Sequence, residues 1–161
     1  MRTLIPDHAQ TSSAPIIAFS YTPLSSFTAI RLLDVLPGQG HDDVRLVLVE
    51  ADLDNGIHDY SALCYTWSLA HFPHTISSAT GSLKIIESLF GALKQFRDPI
   101  KNVRLWADAV CIIQNDLEER AQQILLIRRT YAQSVRLLVW LGPAKLLDTW
   151  ALRFIRTSVD R

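Results

Sequence analysis

The stretch from Val103 to Gly142, VRLWADAVCIIQNDLEERAQQILLIRRTYAQSVRLLVWLG, decides the fold class. Val103 to Ala107 has the composition of a buried strand, Leu117 to Ala132 is the clearest helix in the chain, and Val135 to Leu141 is a continuous apolar strand broken by Gly142-Pro143. In that helix Leu117, Ala121, Ile124, Leu125, Arg128 and Tyr131 mark one face, expected to point inward, and Glu118, Glu119, Gln122 and Arg129 lie mostly away from it. Helices alternating with buried aliphatic strands imply a parallel sheet with right-handed crossovers.

Working outward, Tyr60 to Tyr65 is a short run of strand composition. Trp67 to Gly81 holds Ser68, His71, Pro73, His74 and Ser78 and lacks either period, which predicts a loop. Leu83 to Ile86 then predicts a short strand leading into a helix, with Leu89, Phe90, Leu93 and Phe96 at helical spacing and Ser88 as N-cap. Asp98-Pro99 ends that helix, because the residue before proline is pushed out of the helical region. Past Gly142 a final helical stretch is expected through Phe154. The alternation predicts an α/β domain with a doubly wound, mostly parallel sheet.

Before Tyr60, Phe27 to Leu33 and Val44 to Leu53 are aliphatic and flank the turn cluster Pro37 to Asp43, which predicts an N-terminal antiparallel strand pair. Residues 1 to 26 are rich in Ser, Thr, Pro and Ala without a period and read as a poorly ordered lead-in to a single domain over 27 to 161.

Hydrophobic residues make up 48% and charged residues 20%, the range of a chain that folds rather than one that stays disordered. Sixteen basic side chains balance sixteen acidic ones, so no net field favours nucleic acid or an anionic membrane surface. Asp7, His8 and Gln10 interrupt any apolar run that a secretory signal needs, and no apolar run reaches the roughly 20 residues of a membrane span. Cys64 and Cys111 sit singly in apolar segments, as buried free thiols do in a reducing compartment, so the cytosol is the expected location.

In an open parallel sheet, ligands bind outside the carboxyl ends of the strands. That rule gathers Tyr65 and Trp67 after one strand with Asp108, Cys111 and Gln114 after the next, and Asp116 and Glu119 at the following helix start. A carboxylate among aromatics suits ribose hydroxyls or an oxocarbenium-like centre. Bland roles compete: Asp116 with Glu119 fits a capping box, and Trp67 and Trp106 fit core aromatics. Asp108, between apolar runs, must be paired or solvated. The pair His71 and His74 with the two cysteines lacks the close Cys spacing of zinc sites, so no metal is expected. Nor does any local feature mark Cys111 as a nucleophile.

Four blocks, in order, resemble the fungal heterokaryon-incompatibility (HET) family. Tyr60 to Trp67 is similar to Y-x-A-L-S-Y-x-W-G; Ser88-Leu89, Ala92-Leu93 and Phe96-Arg97 to N-L-x-x-A-L-x-x-L-R; Leu105 to Gln114 with Asp116, Glu119-Arg120 and Gln123 to L-W-I-D-A-I-C-I-N-Q-x-D-x-x-E-R-x-x-Q; and Tyr131 to Gly142 to I-Y-x-x-A-x-x-V-x-V-W-L-G. Ser68, Ser88 and Ile113 depart from the family's Gly, Asn and Asn. Members also extend well past W-L-G, so a chain ending at Arg161 is expected to be a fragment, a truncated paralogue or a bare domain.

The resemblance implies a part in non-self recognition and programmed cell death, with a homo-oligomer or other incompatibility proteins as partners. HET domains also resemble TIR domains, some of which cleave NAD. That analogy implies catalysis by Glu119 with Asp108, and NAD contacts from Tyr65, Trp67, Cys111 and Gln114. The alternatives are a non-catalytic self-association module and a degenerate, inert domain.

Overall fold

The computed structural model describes residues 19–56, 59–67 and 72–143. The described chain is α/β. Its main sheet comprises β1 (Ala29–Val35), β2 (Leu46–Asp52), β3 (Ser61–Tyr65), β6 (Val103–Trp106) and β7 (Arg136–Trp140), in the order β2-β1-β6-β3-β7. The sheet is mixed: β6, β3 and β7 are parallel, β1 runs antiparallel to β6, and β2 runs antiparallel to β1. The expected N-terminal strand pair is thus present, in register from Ala29↔Asp52 to Val35↔Leu46. The expected side-by-side, same-direction strands ending near Tyr65 and Ala107 are present too.

The predicted loop from Trp67 to Gly81 is corrected in part. His74–Ser78 forms β4, which pairs antiparallel with β5 (Gly81–Ile85), and together they make a separate two-stranded sheet. Ile76, fully buried, anchors this hairpin, and one inward side chain in a Ser- and Thr-rich run is too little to register as strand alternation. The short strand expected near Leu83 therefore belongs to the hairpin and not to the main sheet. Residues 68–71, which include Ser68 and His71, and the final helical stretch expected through Phe154 lie outside the described residues.

Among the described residues three helices accompany the sheet: α1 (Glu87–Phe96), a single turn α2 (Asp108–Cys111) and α3 (Leu117–Gln133). The N-cap of α1 is Ile86 rather than Ser88, whose hydroxyl instead lies 3.0 Å from that of Thr66. Arg97, in extended conformation before Asp98-Pro99, closes α1 as the proline rule expects.

Neighbouring residues of a strand face opposite sides of a sheet. Leu32 and Leu33, Ala62 and Leu63, and Leu105 and Trp106 are all buried, so the middle of the sheet is covered on both faces. Trp106 meets Tyr131 of α3 edge to face, and the Tyr60 hydroxyl donates to the Thr130 carbonyl, which puts α3 on one side. Trp140 packs on Phe96 and against Gly91, which puts α1 on the other.

Helix α3 is rolled away from its expected orientation. Gln123, Leu126 and Thr130 are buried, whereas Leu117, Ala121, Ile124, Leu125 and Arg128 of the predicted inward face are exposed; of that set only Tyr131 is partly buried. Polar anchors set the roll. The Gln123 amide donates to the Ala29 carbonyl at 2.9 Å, and Glu119 reaches an arginine of β1. Satisfied polar groups inside outweigh the apolar stripe, because leaving them unpaired in the interior costs about 1–3 kcal/mol each.

Gly91 has a structural reason. A Cβ there would lie 3.1 Å from Cζ2 of Trp140, closer than ordinary contact. Gly91→Leu is expected to destabilise the fold by about 1–3 kcal/mol through overpacking, read as a lower urea midpoint with an unchanged slope.

Candidate functional site

Arg31, which no motif marked, organises the polar centre of the molecule. It sits mid-strand in β1 with 3% of its surface exposed. Its guanidinium donates to Oε1 and Oε2 of Glu119 at 2.6 and 2.8 Å, to the Cys111 carbonyl at 3.3 Å, and twice to the Thr22 carbonyl, at 2.8 and 3.3 Å. It also lies 5.2 Å from the centre of the Tyr21 ring. A guanidinium buried in an apolar strand must be paired, and the fork geometry of arginine fits a carboxylate bidentately. A charge inside the aliphatic run Ala29 to Leu33 was the signal that the sequence offered.

Glu119 stands at the start of α3. The helix N-cap is Asp116, whose carboxylate accepts from the backbone N–H groups of Glu118 and Glu119, both at 3.0 Å. This is half of the expected capping box. The Glu119 carboxylate bypasses the Asp116 N–H, which bonds to the Ile113 carbonyl, and instead accepts from the Ile113 N–H at 3.0 Å and from Arg31. That bond uses only the backbone of Ile113, so the departure from asparagine there does not disturb it.

Asp108 opens α2, just past the carboxyl end of β6. Its Oδ1 accepts from the Tyr65 hydroxyl at 2.6 Å and from the Ala109 N–H at 2.8 Å. The Gln114 amide donates back to the carbonyls of Asp108 and Ile112. Tyr65, Asp108 and Gln114 are therefore brought together at the strand ends, as expected. Glu119 belongs to the neighbouring Arg31 network, joined to the first cluster through the Cys111–Ile113 backbone. The Cys111 side chain is fully buried, and only its carbonyl enters the network. Trp67 is 52% exposed, so the structure does not give it the core role that was weighed for it, whereas Trp106 has that role.

The protonation states follow from these surroundings. Burial would raise the pKa of Glu119, but the hydrogen bonds and charge of Arg31 and the Ile113 N–H outweigh it and hold the carboxyl below its ordinary range. Burial drives the Tyr65 hydroxyl well up, reinforced by the Asp108 carboxylate that it serves, so it stays a donor. Burial also pushes the Cys111 thiol up to about 12, which removes thiolate character at neutral pH. Tyr21 is likewise pushed up to about 12, chiefly by burial, and its hydroxyl donates to the Val110 carbonyl. Residues 19–26, the end of the expected lead-in, thus reach into this network through Tyr21 and Thr22.

A larger cavity lies elsewhere. An open groove of about 1030 Å³ runs along the amino ends of β3, β6 and β7, lined by Ser61, Arg97, Lys101, Arg104 and Arg136, with Asp34 paired to Arg104. A smaller one, about 470 Å³, lies between the Pro23–Phe27 segment and Asp116, Glu118, Glu119 and Gln122. Neither is lined by Tyr65, Trp67 or Asp108.

A carboxyl whose pKa is depressed by folding adds stability above its unfolded value, and that stability is lost as pH falls through the folded value. Stability should therefore fall on acidification below about pH 4.5, the ordinary glutamate value. Urea titrations across pH 2 to 7 check this. Glu119→Gln should be less stable at pH 7 and should show a shallower acid limb than the parent.

With this geometry in place, comparisons with known proteins define the family. The model of the family described as "Heterokaryon incompatibility protein (HET)" matches residues 60–159. The chain is 33% identical over 131 residues to heterokaryon incompatibility protein 6, OR allele, of Neurospora crassa, an alignment covering 73% of this chain and 19% of that protein. No solved structure matches the chain. The chain spans about a fifth of the length of that relative, and from Tyr60 onward it belongs to the heterokaryon incompatibility (HET) family.

Proposed function

We propose that this chain is the effector module of a fungal incompatibility system, acting in non-self recognition and programmed cell death, and that it works by presenting surfaces for assembly rather than by cleaving a small molecule. Membership of the family and likeness to a Neurospora crassa incompatibility protein support the biological role. The observation that carries the mechanism is the engagement of Glu119. Both of its oxygens are held by Arg31 and one also by a backbone N–H, so its charge is already paired inside the protein. A carboxylate so held serves to fix the α3 start against β1, which suits a scaffold. No helix among the described residues is long and apolar enough to cross a membrane, which agrees with action from the cytosol.

A second reading is NAD hydrolysis by a doubly wound, TIR-like domain. It draws support from Tyr65 and Asp108, bonded to each other past the carboxyl ends of adjacent parallel strands, with Gln114 beside them. Helices on both faces of the sheet also suit it, while antiparallel β1 and β2 set the domain apart from an all-parallel sheet. In this reading NAD is a substrate and Trp67 supplies an exposed stacking ring.

Expression in fungal cells and NAD assays on the purified chain separate the two. The expected outcome is loss of viability, NAD left unconsumed, and equal toxicity from Asp108→Asn. NAD turnover abolished by Asp108→Asn or by a folded Glu119→Gln protein would establish the catalytic reading instead.

A further inference from the structure

The roll of α3 leaves a mainly apolar stripe on the outer side of the helix. At roughly 100° per residue, Leu117, Ala121, Ile124, Leu125, Arg128 and Ala132 fall in a single sector about 100° wide. All six are exposed, Leu117 at 70%, Ile124 at 54% and Leu125 at 82%, while Gln123, Leu126 and Thr130 fill the opposite, buried side. Isolated exposed leucines are ordinary, but a continuous stripe along a helix that already has an anchored inner face marks a contact surface.

One charge within the stripe and one beside it select the occupant. Glu118 near one end and Arg128 near the other make no side-chain hydrogen bond or ion pair among the described residues. They are separated by about 15 Å of helix axis. Two copies of α3 packed antiparallel about a two-fold axis, with Ala121 opposite Leu125 of the second copy, set Glu118 opposite Arg128 at both ends. Small faces large at the centre, and unlike charges face each other at the two ends. Such self-complementarity is what an isologous interface requires. The 470 Å³ groove continues the surface on the Glu118 side, where Phe27 is 83% exposed.

We infer that the outward face of α3 is the contact between two copies of this chain. The inference rests on the assembly reading above and gives that reading a surface. A contact centred on one helix pair is small, so the dimer forms at high protein concentration and dissociates on dilution.

Sedimentation equilibrium of the full chain over a wide concentration range, with thermal unfolding in parallel, tests this. Leu125→Asp, which places two carboxylates near the dyad, should weaken dimerisation more than about a hundredfold with the melting temperature of the dilute protein unchanged. Glu118→Arg alone and Arg128→Glu alone should each weaken it by about tenfold, and the two together should restore it, because each pair is re-formed with its charges exchanged.

A dimer indifferent to Leu125→Asp, or not restored by the double exchange, would overturn the surface while leaving the assembly reading intact. A chain monomeric at every concentration would overturn both. If Leu125→Asp lowered the melting temperature of such a monomer, the stripe would be assigned to contacts within the same chain. Loss of viability measured in cells is independent of these readouts, so failure of the biological role remains distinguishable.

Discussion

The buried ion pair between Arg31 and Glu119 is the constraint on which the other features depend. It ties β1, an inner strand of the sheet, to the first turn of α3. Through the Cys111 carbonyl and the Ile113 N–H it also fixes the segment that carries α2. Burying two charges carries a desolvation cost of several kcal/mol each, recovered only where geometry and extra hydrogen bonds are good. Here the pair is bidentate, the remaining guanidinium protons find carbonyls of Thr22 and Cys111, and a backbone N–H completes the carboxylate. Breaking such a pair by removing one partner costs about 3–5 kcal/mol, because the survivor stays buried and unpaired.

Two consequences follow from the pair and its neighbour Gln123. The helix is rolled so that Glu119, Gln123 and Thr130 face the sheet, which leaves the apolar stripe outside. At the same time the carboxylate most easily taken for a catalyst is occupied. One electrostatic device therefore both pairs the Glu119 carboxylate and leaves the apolar stripe of α3 outside. The cluster of Tyr65, Asp108 and Gln114 is separate from it in function: it pins α2 to the end of β3 and holds the tyrosine hydroxyl as a donor.

Much of this was legible in the residues. Aliphatic runs separated by turn and proline signals located β1, β2, β3, β6 and β7; the inner strands β1, β6 and β3 need such runs because they are covered on both faces, while the edge strands β2 and β7 are apolar in sequence but partly exposed. The Asp116 cap of α3 was legible from its position before an apolar-periodic segment, as was the meeting of Tyr65 with Asp108 from the parallel-sheet rule. The β4–β5 hairpin was not, since only Ile76 of β4 faces inward and its serines and threonines give no alternation. The roll of α3 was not legible either. Hydrophobic periodicity chooses the most apolar stripe, and it is blind to a glutamate and a glutamine whose partners, Arg31 and the Ala29 carbonyl, lie 88 and 94 residues away in sequence. Arg31 itself was visible only as an anomaly, a charge where the run required none.

A double-mutant cycle on Arg31→Met and Glu119→Gln, read by urea denaturation at neutral pH, addresses the central claim most directly. If the pair organises the fold, each single change is costly, the second adds little to the first, and the coupling amounts to about 2 kcal/mol or more. Single losses that simply sum, with coupling near zero, would contradict it.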